Sequence, residues 1–239
     1  SSNIQSFLAL LWDIGLAVGH SVRSIDECRA QAKSDVTVLT AMMESRSICG
    51  DDELRLRMNR KVAPKKIWPP KAFYRAKRDE QIERHQKSQH TEYSLEPNIK
   101  TSPGGLRDIQ TVMWIARRKF GSVDFADLVE QKFLTAGESE LLTEGRKFLW
   151  KIRFGLHLLA GRDDDRLLFD HQQNLATMFG YEDGDQLSVE QFMQDYYRTA
   201  HELNAANELL LQHFDEAIVR SSERAIVQPI NQRFRIRNN

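Results

Sequence analysis

Glu96-Pro-Asn-Ile-Lys-Thr-Ser-Pro-Gly-Gly-Leu-Arg-Asp108 runs directly into Ile109-Gln-Thr-Val-Met-Trp-Ile-Ala-Arg-Arg-Lys119. Turn formers fill the first stretch and none interrupts the second, so a loop delivers the chain into a helix at about residue 105. Two adjacent glycines free the backbone at the mouth of that helix, where unpaired N–H groups and the helix dipole favour anions. Lys100 and Arg107 add two cations, and Asp108 adds one carboxylate. Two readings are open on these residues alone. One is a phosphate or nucleotide contact. The other is an ordinary Pro103-Gly104 turn followed by an ordinary first-turn acid at Asp108.

On the C-terminal side the pattern stays helical. Helices are expected at about 105–119, 124–131, 137–161, 169–179 and 188–220. In the third of these, Leu141, Phe148, Leu149, Ile152, Leu156 and Leu159 share a face. In the last, Phe192, Tyr196, Ala200, Leu203, Leu210, Phe214 and Ile218 do so, and both stripes read as core. The tail from Ser221 to Asn239 is polar and ends in Phe234-Arg-Ile-Arg237, an extended arm or a frayed end.

On the N-terminal side, Pro69 and Pro70 open a charge-rich helix over Lys71 to Lys87, and His90 to Pro103 reads as a loop. Residues 1–65 read differently. Phe7 to Trp12 and Leu16 to Val22 are expected as short strands, broken by Gly15 and Gly19. Ser24-Ile-Asp-Glu27 has the form of a capping box, and Ser34 or Asp35 caps a further helix. Gly50 ends that unit and Asp51-Asp-Glu53 begins another helix, while Met42 to Ile48 reads equally as helix end or strand.

Composition narrows the class. A chain of 239 residues holds one large or two small domains. Acidic and basic side chains balance at 34 each, so no global field argues for nucleic acid or an anionic membrane. No apolar run has membrane-spanning length, and no signal peptide is recognisable. Cys28 and Cys49 have no metal-type spacing, which fits reduced thiols in a cytoplasmic protein.

Four stretches, taken in order, resemble the bacterial protein-PII uridylyltransferase/uridylyl-removing family. They are Leu11-Trp-Asp-Ile-Gly-Leu-Ala-Val-Gly-His-Ser-Val-Arg23, the run from Glu96 to Phe120, Trp150-Lys-Ile-Arg-Phe-Gly-Leu-His157 with Arg166-Leu-Leu-Phe-Asp170, and Leu211-Gln-His-Phe-Asp-Glu-Ala217. The resemblance implies a polymerase-β-like nucleotidyltransferase that moves UMP from UTP to a tyrosine of PII. Such a site needs a glycine turn and three carboxylates holding two Mg²⁺ ions. Asp13 falls where the family carries the third carboxylate, as catalytic and metal-binding residue. Ser21 and Arg23 lie close by in sequence, as candidates to approach the nucleotide. Lys100, Gly104, Gly105 and Arg107 are the candidates for nucleotide or phosphate, with Asp108 orienting Arg107 or capping its helix.

The paired carboxylates are not recognisable. Asp163-Asp-Asp165 and Asp183-Gly-Asp185 have suitable spacing but follow no glycine turn and strand, and read as solvated turns. No His-Asp dipeptide marks the family's hydrolase. His85 and His90 lie on or near the charged helix, and His157 reads as a core or interface histidine. Arg60-Lys61 with Lys65-Lys66, and Arg117-Arg118-Lys119, are either phosphate or partner contacts or, for the second, dipole-favoured helix-end cations.

The expected fold is mainly α with a small α/β part. It comprises a nucleotidyltransferase remnant at 1–65, a helical-bundle domain at 66–220 and a tail at 221–239. The expected role is that of a fragment of a cytoplasmic nitrogen-signalling enzyme, inactive alone. Its partners would be PII and UTP, with glutamine acting through domains outside the chain, and with no nucleic acid and no membrane. A glutamine-synthetase adenylyltransferase-like enzyme and a non-catalytic helical interaction module are the alternatives.

Overall fold

Ser2-Asn-Ile-Gln-Ser-Phe-Leu-Ala-Leu-Leu-Trp-Asp13 has neither glycine nor proline and is rich in strong helix formers. In the computed structural model it is helix α1, Ser2–Asp13. The structure describes residues 2–16, 18–87, 95–121 and 124–220, and the backbone of 226–229 and 235–238. The chain divides into two units, Ser1–Ala63 and Pro64–Asn239.

The first unit corrects the expected strands. Phe7 to Trp12 is helical, and the helix ends at Gly15, whose φ of +83° suits a residue without a Cβ. The described residues of Leu16 to Val22 form no strand. An apolar run of six cannot by itself separate strand from helix, and intrinsic propensity decides here. Met42 and Met43 close helix α3, and no strand follows up to Ile48. Ser24 and Glu27 form the expected capping box of α2, Ile25–Ser34. Asp35, rather than Ser34, caps α3, Val36–Met43, accepting from the Thr37 N–H at 2.7 Å. Helix α4 spans Glu53–Lys61. Ala32, Leu39, Met42 and Met43 are buried, whereas α1 buries none of its residues.

The second unit is a set of packed helices: α5 Pro70–Lys87, α6 Leu106–Phe120, α7 Phe125–Glu130, α8 Ala136–Ala160, α9 Phe169–Met178 and α10 Ser188–Phe214. Helix α10 packs against α6, α8 and α9. Its whole expected stripe, from Phe192 to Ile218, is buried. Helix α8 buries Leu142, Leu149, Ile152 and Leu156, while Leu141, Phe148 and Leu159 flank that seam half-buried. A π-helical turn, Asp215–Val219, continues α10.

Two short antiparallel strands, β1 Ile226–Pro229 and β2 Arg235–Asn238, pair in the tail. His90, Phe234 and most of the remaining tail lie outside the described residues. The architecture is mainly α, and no described helix is long and apolar enough to cross a membrane.

Candidate functional site

The Gly-Gly segment is buried, not displayed. Ser102, Pro103, Gly104, Gly105 and Leu106 are all buried. Gly104 has a φ of +74°, and a Cβ there would stand 2.0 Å from the Ala200 carbonyl oxygen of α10. Only glycine lets the loop lie this close to the helix backbone. Gly105 is the N-cap of α6, and a Cβ on it would meet the carbonyl oxygens of Ser102, Ile99 and Lys100 at 2.8–3.0 Å.

Those same carbonyls occupy the first N–H groups of α6. The Leu106 N–H donates to Ile99 O at 3.1 Å and the Arg107 N–H to Lys100 O at 2.8 Å. The Gly105 N–H donates to Ser102 O at 2.9 Å, and the Asp108 N–H to Gly105 O at 3.0 Å. The orphan donors of a helix start are thereby satisfied within the loop. Any anion contact in this segment falls to the side chains of Lys100 and Arg107 rather than to the glycine backbone.

Asp108 holds the segment to α5. Its side chain is 1% exposed. It accepts from Gln81 Nε2 at 2.9 Å, from the Arg84 guanidinium, and from the loop's own Gly104 N–H at 2.8 Å. His85 Nε2 lies 3.0 Å from the same carboxylate. Burial pushes the Asp108 carboxyl up, but the His85 hydrogen bond and charge, the Arg84 charge and the Gln81 amide outweigh it and leave it lowered. Asp108 therefore caps its loop, while the Arg107 guanidinium lies over the Trp114 ring, 5.3 Å from its centroid. Lys77, 1% exposed, approaches the same ring at 4.5 Å and pairs with Glu80 at 2.6 Å. His85 was noted in the sequence only as a histidine of the charged helix, and Gln81 and Arg84 not at all, although their i, i+3, i+4 spacing puts the three on one helix face.

The other end of the segment is tied to the α8–α9 connection. The Ile99 N–H donates to Asp165 O and the Leu167 N–H to Pro97 O, flanking an antiparallel bridge between Asn98 and Arg166. Lys100 Nζ lies 3.4 Å from the Asp165 carboxylate, which also receives Arg153 Nε at 2.6 Å and faces His157 Nε2 at 3.3 Å. Asp165 is thus a half-buried hub rather than a solvated turn. Asp183 does stand in an exposed turn, where it accepts from the Ser188 N–H at 2.7 Å.

Three members of the basic clusters, Arg118, Arg60 and Lys61, have local partners. Arg118 is buried, and its guanidinium donates to the carbonyls of Ile67 and Trp68, so it secures the entry to α5. In the first unit Arg60 pairs with Glu53, and Lys61 lies 3.2 Å from Asp26. A cleft of about 540 Å³ beside α5 is lined by Tyr74, Arg78, Asp215 and Arg220 among others. Arg78 pairs with Glu208 at 2.9 Å and Arg220 with Asp215 at 2.6 Å.

Asp13, Ser21 and Arg23 belong to the first unit and are exposed. Asp13 ends α1 instead of a strand. Among the described residues no three His, Cys, Asp or Glu side chains converge as metal ligands. The donor set of a two-metal site is therefore not assembled from these residues.

Residues 72–211 match the family model for GlnD PII-uridylyltransferase. A bifunctional uridylyltransferase/uridylyl-removing enzyme of Pseudomonas aeruginosa strain LESB58 is 52% identical over 98% of this chain. Proteins of the same name from Pseudomonas putida strain GB-1 and Azotobacter vinelandii are 53% and 52% identical, each again over 98% of the chain. The chain spans 26% of the length of each of these relatives. No solved structure matches. With its helical core inside the matched region, the chain belongs to the GlnD PII-uridylyltransferase family.

Proposed function

We propose that this chain serves a bifunctional uridylyltransferase/uridylyl-removing enzyme as its helical domain and the segment before it. The reaction is transfer of UMP from UTP to a tyrosine hydroxyl of PII, with release of pyrophosphate. One observation carries this reading: 52% identity over 98% of the chain to enzymes of that name. The clasp around Gly104, Gly105 and Asp108 is the architectural part of the contribution. It locks α5, α6, α10 and the α8–α9 connection into one body. A rigid scaffold of this kind holds reacting groups in productive geometry, which is where positioning contributes to rate.

The described residues do not by themselves assemble a magnesium site. Asp13 is proposed as one carboxylate of a site completed elsewhere in the enzyme. Ser21 and Arg23 are proposed as its neighbours toward the nucleotide. Cytoplasmic location and control by glutamine belong to the same proposal for the whole enzyme.

A segment exchange tests the reading. The corresponding quarter of the Pseudomonas aeruginosa enzyme is replaced by this chain, and label from UTP is followed onto PII. Transfer near the parental rate is the expected result. A folded chimera that binds UTP but leaves PII unlabelled overturns it.

A further inference from the structure

Two cations and a histidine meet one carboxylate beside the signature loop. Arg153 Nε and His157 Nε2 share Asp165 Oδ1 at 2.6 and 3.3 Å, and Lys100 Nζ faces Oδ2 at 3.4 Å. The side chains are 20%, 31% and 34% exposed, so the group is half-sunk, and Asp165 is only 16% exposed. Lys100, Arg153 and Asp165 alone carry a net charge of +1, and a protonated His157 raises it to +2.

The geometry leaves donors over. Arg153 spends only Nε on Asp165 and rests its guanidinium against the Trp150 ring, 5.1 Å from its centroid. Its two terminal nitrogens have no hydrogen-bond partner among the described residues. Lys100 is too far from Asp165 for a short hydrogen bond, so its ammonium can turn outward. Two neighbouring acids, Asp164 and Glu96, are committed elsewhere. Asp164 holds Arg162 and the Arg166 N–H, and Glu96 accepts from the Phe169 N–H. A fork-shaped guanidinium and an ammonium on either side of a fixed carboxylate suit the several oxygens of a phosphoryl group.

We propose that Lys100, Arg153 and His157, set in place by Asp165, form a binding site for a phosphoryl group. The site joins the Glu96–Asp108 signature to the polar face of the Trp150–His157 stretch, whose Ile152 and Leu156 are buried in the core. It deepens the uridylyl-transfer reading, since UTP carries such groups, and rests on that reading only for the ligand's origin. Asp165 acts here as the internal anion that keeps Lys100, Arg153 and His157 together when no ligand is present. Its carboxyl stays lowered despite burial because Arg153, His157 and Lys100 surround it.

The test uses this chain as it stands. The His157 ring resonances are followed by NMR while inorganic phosphate, pyrophosphate, UTP or uridine is added at constant pH and ionic strength. Pyrophosphate and UTP are expected to shift His157 saturably, and uridine is not. Lys100→Gln and Arg153→Gln should each weaken pyrophosphate binding about ten- to a hundredfold. Lys147→Gln, a control at an exposed lysine of α8, should leave it unchanged. Asp165→Asn removes the competing anion and should tighten binding. If that variant does not fold, the two cation variants still decide. Absence of saturable binding, equal shifts with uridine, or unchanged affinity in both cation variants overturns the site. Pyrophosphate binding in a chain whose chimera fails to label PII would uphold the site and reject the UTP origin.

Discussion

At the scale of single residues, Asp108 is the most heavily committed side chain of the clasp. Removing one partner of a buried charged network costs about 3–5 kcal/mol, because the remaining charges lose their counter-ion. Asp108→Ala should therefore unfold the second unit at markedly lower urea. The pH dependence has a definite sign. Asp108 is lowered in the folded state, so its contribution is complete above the unfolded carboxyl pKa and is lost as pH falls through the folded value. Urea midpoints measured from pH 7 down to pH 3 should fall in the wild type and fall less steeply in Asp108→Asn. An equal slope in both proteins would remove Asp108 as the source. Gly104→Ala combines a positive φ with a backbone collision at Ala200 and should cost about 2–4 kcal/mol. Gly184→Ala, with nothing within 4 Å, should be near neutral. Similar losses in the two variants would show that Gly104 is not the close contact described.

At the scale of elements, the helices of the second unit were legible because their apolar residues recur at helical spacing over long spans. Helix α10 shows this best, with seven expected core residues and seven buried. The helix over Ser2–Asp13, read as a strand at Phe7 to Trp12, was not legible, since six apolar residues fit either period and only helix propensity favours α1. The buried state of the Gly-Gly loop was also out of reach. Gly104 faces Ala200, about a hundred residues away in sequence, and nothing local marks that approach. The role of Asp165 was hidden because Arg153 and His157 reach it only when α8 folds back on the following connection, and Lys100 comes from a distant loop. Asn207 breaks the α10 stripe and yields an element-level test. It is 1% exposed, and among the described residues neither its amide nitrogen nor its oxygen has a hydrogen-bond partner. An unsatisfied buried polar group costs about 1–3 kcal/mol, so Asn207→Leu should raise the urea midpoint by a comparable free energy. A lower midpoint would mean that the amide serves a buried water or another partner in solution.

At the scale of the whole molecule, family membership and site completeness separate. Identity at 52% places the chain in an enzyme family, yet the carboxylate proposed for metal, Asp13, is solitary and exposed among the described residues. Two-metal phosphoryl-type transfer needs several carboxylates fixed about the reacting phosphorus, and one exposed aspartate does not assemble them. The chain on its own is therefore expected not to move label from UTP to PII in the presence of Mg²⁺. Binding and catalysis should also come apart. The half-buried cation group at Lys100 and Arg153 needs only the folded second unit, so it should take pyrophosphate in a chain that transfers nothing. Replacing Asp13 by Asn within the full-length chimera should then abolish transfer while leaving the urea midpoint and pyrophosphate binding unchanged, because an exposed helix-end residue contributes little to the fold. Transfer by the isolated chain would show that its own carboxylates suffice. Near-normal transfer by the Asp13→Asn chimera would return Asp13 to the role of an exposed helix-end residue.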